Sequence, residues 1–162
     1  MVPLRLIVNT SGGFAPLVVT ALSNQPGKNA EFTFGDGFSV RGESATHTYR
    51  DAGVYSIHCS TGEQQTTHEI EVLEAVPTAF SPNGDGANDV YTIANPEIRE
   101  IELRIYTRGG RLVYSGKAES VNWNGLYPDG NPAETGTYFY DIFVTSARGN
   151  TYKQKGTLTL FR

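Results

Sequence analysis

A single cysteine, Cys59, excludes any internal disulfide from this 162-residue chain, so its folded parts must rely on packing or on a bound ion. Long apolar runs are absent as well, and none approaches the about 18 residues that a bilayer-spanning helix needs. The opening MVPLRLIVNTSGG lacks the charged and apolar sections of a signal peptide. Helical periodicity is missing from almost every window, so helix should be scarce. Concentrated positive charge is lacking too. The chain carries 13 Lys and Arg against 17 Asp and Glu, a formal charge of −4. Residues 1–75 hold four against eight, and residues 76–162 hold nine of each. Neither half offers the basic surface that phosphates attract, which argues against nucleic-acid binding.

What the chain has in abundance is turn chemistry. Eighteen glycines and eight prolines separate short apolar runs, the pattern of an all-β protein with many short strands. The length allows two small domains, divided at 75/76. Strands are expected at 4–8, 17–22, 30–34, 45–49, 54–59 and 67–73, then at 90–94, 98–107, 111–115, 137–146 and 151–161. Each half should therefore be a β-sandwich. Ile70 and Val72 alternate with Glu69 and Glu71, as a sheet with one wet face requires. Ile101, Leu103 and Ile105 face one way, Glu102 and Arg104 the other. In TYFYDIFV both alternating sets are largely apolar, which marks a central strand with one aromatic face covered by a neighbour or partner. Cys59 is in phase with Tyr55 and Ile57 and reads as a buried thiol.

Two segments stand out. Within Asn83–Asp89, the residues Asn83, Asp85, Asn88 and Asp89 surround Gly84 and Gly86. Asn83, Asp85 and Asp89 supply enough oxygen donors for a calcium ion, although the spacing is not that of an EF-hand. A hydrogen-bonded Asx turn is the other reading, and no cofactor is required. The second segment is the terminal strand, where Leu158 and Leu160 point inward while Thr157, Thr159 and Phe161 point outward, ahead of Arg162. It is either a closing strand or an edge displayed for recognition. An unpaired strand there adds to a partner by backbone pairing, or Lys153 and Lys155 blunt it. His47, His58 and His68 are too dispersed for a zinc site. No nucleophile elbow or P-loop is present, and no enzymatic activity is expected. Trp123, Tyr127 and Tyr138 raise a carbohydrate-stacking reading, with a packing anchor as the alternative for Trp123.

In the first half, FTFGDG at Phe32–Gly37, HTY at His47–Tyr49 and Gly53-Val54-Tyr55 resemble the polycystic kidney disease (PKD) domain, an immunoglobulin-like sandwich. Phe32 and Thr33 depart from its usual Trp and Asp. Gly35 and Gly37 permit positive backbone angles, Asp36 accepts amide hydrogen bonds, and His47 bonds beside the turn. The resemblance implies a spacer or adhesive module of extracellular proteins. In the second half, AFSPNGDGAND at 79–89, RIYTRGGRLVY at 104–114, Trp123-Asn124-Gly125, Gly130, GTYFY at 136–140 and the ending GTLTLFR resemble the gliding-motility-associated (CHU-type) C-terminal domain of Bacteroidetes. Gly109-Gly110 and Ala133-Glu134-Thr135 depart from its pattern, both in expected turns.

Together the resemblances imply two tandem immunoglobulin-like β-sandwiches, a PKD-like spacer at 1–75 and a type B sorting domain of the type IX secretion system at 76–162. The sorting domain would direct a large secreted or surface protein through the periplasm and across the outer membrane. Its partners would be an outer-membrane partner protein and translocon components. The chain is expected to be monomeric, without a membrane span of its own. The residues expected to meet the partner are Asn83, Asp85, Asn88, Asp89 and Thr157 to Arg162. The alternative function is an extracellular adhesive or carbohydrate-binding module.

Overall fold

Fifteen strands and no helix are found among the described residues, 2–162, of the computed structural model. In chain order they are β1 (Leu6–Val8), β2 (Gly12–Phe14), β3 (Leu17–Ser23), β4 (Ala30–Thr33), β5 (Ser39–Gly42), β6 (Ser44–Tyr49), β7 (Gly53–Ser60) and β8 (Gln65–Leu73), followed by β9 (Ala79–Phe80), β10 (Tyr91–Ala94), β11 (Ile98–Tyr106), β12 (Leu112–Ala118), β13 (Ser120–Trp123), β14 (Gly136–Ser146) and β15 (Thr151–Leu160). The chain divides into two compact units, Met1–Ala75 and Val76–Arg162. Each is a pair of sheets closed over its own apolar core.

In the first unit a three-stranded sheet, β1-β3-β6, lies against a five-stranded one, β2-β8-β7-β4-β5. The inward phase of each strand supplies the core: Val19, Ala21 and Tyr49 from the first sheet, Phe32, Ile57, Cys59 and Ile70 from the second. Strand periodicity of two makes this possible, since residues i and i+2 share a face. Glu71 is a correction to the expected alternation, because it is buried. The short β2 pairs in parallel with β8 and sets Gly12 opposite Glu71, which covers the strand. Gly12-Gly13 reads as a turn in the sequence, so β2 is not anticipated there.

The FTFGDG turn is built as its residue types require. Gly35 has φ +79°, and a Cβ there would lie 3.0 Å from the backbone of Ser56 on β7, so the turn packs directly on the neighbouring strand. Asp36 accepts the Phe38 amide at 3.1 Å and pairs with His47 Nε2 at 2.6 Å. The His47 ring stacks on Phe38 with centroids 4.7 Å apart. The Tyr49 hydroxyl donates to the Phe34 carbonyl at 2.8 Å, and Tyr55 stacks on Tyr49 at 4.3 Å.

Burial raises the Asp36 carboxyl pKa, but the Phe38 amide and the His47 ring outweigh it and hold the group below its ordinary 3.8. A carboxylate with a depressed folded-state pKa stabilises the fold above its unfolded value, and that contribution is lost as pH falls through the folded value. Asp36→Asn should therefore melt below the parent at pH 7. The gap should close as the pH drops under about 4. Calorimetry of the first unit's transition from pH 7 to pH 2 measures both.

In the second unit β12-β11-β14-β15-β9 form a five-stranded sheet, and β10-β13 a two-stranded one. Ile101, Leu103 and Ile105 are wholly buried. TYFYDIFV lies centrally in β14, between β11 and β15. Tyr138, Tyr140, Ile142 and Val144 enter the core, while Phe139 and Phe143 stay 45% and 43% exposed on the other face. Two strands here go unread in the sequence. β9 is two residues long, and β13 lies in the stretch between the expected strands 111–115 and 137–146.

Candidate partner-recognition surface

The loop that follows β9 is closed by backbone and side chain together. The Ser81 amide donates to the Asn88 carbonyl at 2.9 Å, and the Asn83 amide to the Ser81 carbonyl at 2.8 Å. Asp89 accepts the Gly84 amide on Oδ1 at 2.7 Å and the Gly86 amide on Oδ2 at 2.8 Å. Asp85 accepts the Ala87 amide on Oδ1 at 2.8 Å and the Asn83 Nδ2 on Oδ2 at 2.9 Å. Asn83 Oδ1 accepts the Asp85 amide at 3.1 Å. The Ala87 amide and the Asn83 side chain lower the pKa of Asp85, as hydrogen bonds to the charged form do. Asn88 sits at φ 54°, a conformation asparagine tolerates better than most residues.

This network matches the hydrogen-bonded reading of the loop. All five side-chain oxygens of Asn83, Asp85 and Asp89 already face an N–H group. No cluster of three or more His, Cys, Asp or Glu suited to a metal occurs among the described residues. The arrangement is that of nested Asx turns. Asp89→Ala, which releases two amides, should cost about 1–3 kcal/mol. Addition of EDTA to the parent should move its melting midpoint by less than about 1 °C.

The terminal strand turns Leu158 and Leu160 wholly into the core, as their phase requires. β9 runs parallel to the end of β15 and pairs Thr159 with Ala79 and Leu160 with Phe80. The Phe161 amide donates to the Phe80 carbonyl at 3.0 Å. Arg162 donates from Nη1 to the Ala133 carbonyl and from Nη2 to the Gly125 carbonyl, the latter at 3.1 Å. The strand is thus tied down along both sides at its end. Of the candidates there, Thr157, Phe161 and Arg162 remain exposed and Thr159 is half-buried.

These bonds bring distant motifs together. Phe80 and Pro82 of AFSPNG, Gly125 of WNG and Leu160 of the ending meet at one point. A Cβ on Gly125 would lie 2.9 Å from Pro82 Cγ, 3.3 Å from Leu160 Cδ1 and 3.4 Å from Phe80 Cε2. Phe80 packs against Tyr91 at 5.7 Å and Trp123 at 5.2 Å, and Trp123 against Tyr138 at 5.1 Å. The Tyr91 hydroxyl donates to the Pro77 carbonyl at 2.9 Å, and Tyr138 to the Glu134 carbonyl at 2.7 Å. The result is a rigid base under the loop Asn83–Asn88, with Val90 and Phe161 exposed beside it.

Trp123 and Tyr138 do not form a carbohydrate platform, because both are buried. Trp123 is the packing anchor, its indole N–H bound to the Leu126 carbonyl at 2.9 Å. Titration with polysaccharides should leave the tryptophan emission without a saturable change. Sequence reasoning names Arg162 as a partner-contact candidate but does not foresee its two carbonyl acceptors, 29 and 37 residues upstream.

No curated protein matches the sequence significantly. Among solved structures, the fibronectin(III)-like modules of Clostridium thermocellum CbhA share 13% identity, with 97% of this chain and 93% of theirs covered and a TM-score of 0.34. Dimeric latent PorU from Porphyromonas gingivalis shares 12%, with coverage of 96% and 20% and a TM-score of 0.33. PorZ, a surface component of the type-IX secretion system of Porphyromonas gingivalis, shares 19%, with coverage of 66% and 15% and a TM-score of 0.29. The chain therefore spans a fifth or less of the PorU and PorZ chains. No helix among the described residues is long and apolar enough to cross a membrane. The family CHU_C, Type IX secretion signal domain, matches residues 74–160, more than half of the sequence, and the chain belongs to that family.

Proposed function

We propose that residues 76–162 are a folded address that an outer-membrane partner protein of the type IX secretion system binds, so that an attached cargo crosses the outer membrane and is held at or released from the cell surface. Residues 1–75 serve as a PKD-like spacer between address and cargo. One observation carries the reading: motifs scattered from Phe80 to Arg162 converge to hold one exposed loop in a fixed shape. A pre-ordered loop loses little conformational entropy on binding, which favours recognition of the folded domain over an extended peptide. The surface offered to the partner is the tip Asn83–Asn88 with Phe161 beside it. Asp85 and Asp89 act there by holding the loop's form.

The test is secretion of the whole chain fused behind a reporter in a type IX-competent host that expresses the partner protein. The reporter should reach the cell surface. Retention in the periplasm with the partner present would overturn the reading.

A further inference from the structure

Two asparagines of the chain precede a glycine, Asn83 and Asn124, and such a pair lets a backbone nitrogen attack the side chain before it. The glycine nitrogen, uncrowded because its residue has no Cβ, adds to the asparagine carboxamide carbon. The two pairs sit in different surroundings. Asn124 is exposed, but Gly125 is buried against Pro82, Leu160 and Phe80, so packing holds that pair. Asn83 and Gly84 are both exposed, and nothing lies within 4 Å of the missing Gly84 Cβ. Hydrogen bonds hold this one. The Gly84 amide donates to Asp89 Oδ1 at 2.7 Å. The Asn83 carboxamide is held at both ends by Asp85, its Oδ1 accepting the Asp85 amide at 3.1 Å and its Nδ2 donating to Asp85 Oδ2 at 2.9 Å.

We infer that Asn83 is a latent site of spontaneous deamidation, and that Asp89 is the residue that keeps it closed. In the reaction hydroxide takes the proton of the Gly84 N–H, the nitrogen forms a bond to Asn83 Cγ, and the Cγ–Nδ2 bond breaks. Water returns a proton to the departing nitrogen, so ammonia leaves. A second water opens the resulting succinimide to aspartate or isoaspartate at position 83. Asp89 opposes the first step. A carboxylate is far too weak a base to take an amide proton, and an amide anion formed 2.7 Å from its oxygen would face a like charge. The bond that must be given up has a charged acceptor, the stronger kind. Asp85 holds the departing nitrogen in the same way. Neither product fits the loop. Aspartate at 83 has no Nδ2 to give to Asp85 and sets a second negative charge beside it, while isoaspartate adds a methylene to the backbone. The tip therefore keeps its form for as long as Asp89 holds the Gly84 amide.

The test incubates the whole chain at mildly alkaline pH and follows Asn83 and Asn124 in the same sample by peptide mapping and mass spectrometry. Unfolded in urea, the parent should convert both at equal rates. Folded, it should convert Asn83 more slowly by about tenfold or more, since a hydrogen bond to a charged group is worth at least that factor. Asp89→Ala should return most of that factor at Asn83 and leave Asn124 slow. Should Asp89→Ala melt below the incubation temperature, Asp89→Asn, which removes the charge but keeps one oxygen, takes its place and should give the same pattern. A folded parent that converts Asn83 as fast as in urea would overturn the inference, and so would a variant that converts it as slowly as the parent. Acceleration of both asparagines together in a variant that circular dichroism shows to be folded would assign the protection to the unit as a whole and overturn it too. None of these results bears on the sorting reading.

Discussion

Gly125→Val should lower the melting midpoint of the second unit by roughly 8–40 °C. Two costs add at this position. Gly125 has φ +73°, a left-handed conformation that costs a residue with a Cβ about 1–2 kcal/mol. The added carbon would also press on the Pro82 ring at 2.9 Å and on Leu160 and Phe80 just beyond it. A proline ring cannot turn aside, and overpacking of this kind costs about 1–3 kcal/mol. The sum, about 2–5 kcal/mol, translates at about 4–8 °C per kcal/mol for a unit of this size. Gly130→Val is the matched control. Its φ is +84°, but nothing lies within 4 Å of its missing Cβ, so only the backbone cost applies. Equal losses in the two variants, read by calorimetry, would show that the crowding at Gly125 is not felt.

The same position shows where sequence reasoning reaches and where it stops. Periodicity two is legible wherever a strand is long and half-buried, so β11, β14 and β15 are found close to their true limits. β14 is recognisable as central because both of its faces are apolar. β9 is not recognisable, since two residues carry no period. Its existence depends on a parallel partner at Leu160, some 80 positions away. The consequence for the candidate site is large. The end of the terminal strand reads as open only while β9 is unseen.

The loop divides in the same way. Its turn-forming composition is plain from Asn83, Gly84, Asp85 and Gly86, and its oxygen-rich side chains suit either a cation or amide donors equally well at the level of sequence. The bonds from Gly84, Gly86 and Ala87 show the amide-donor arrangement. Backbone donors are invisible in a sequence, whereas carboxylates are not. Asp36 gives the complementary case. There the FGDG pattern already places the carboxylate beside its turn, and His47 is found bonded to it.

Trp123→Ala should cost about 3–5 kcal/mol, the usual range for emptying a buried aromatic site, and the loss should be confined to the second unit. The indole is 2% exposed and joins Phe80, at the base of the recognition loop, to Tyr138 on the central strand. Trp123→Phe separates packing from hydrogen bonding. It keeps most of the ring contacts but leaves the Leu126 carbonyl without the indole N–H, a loss of about 1–3 kcal/mol. Because this is the chain's single tryptophan, its emission reports unfolding of the second unit alone in the parent, and calorimetry resolves both units in the variants. The Leu126 carbonyl also fixes the segment that carries Gly125, which packs on Pro82 beneath the recognition loop. Trp123→Phe should therefore reduce export by more than a core substitution of equal thermal cost on the opposite side of the sheet's register, such as Val144→Ala. If the two reduce export in proportion to their melting midpoints, the indole bond matters to stability alone and the 124–130 segment needs no fixed position for recognition.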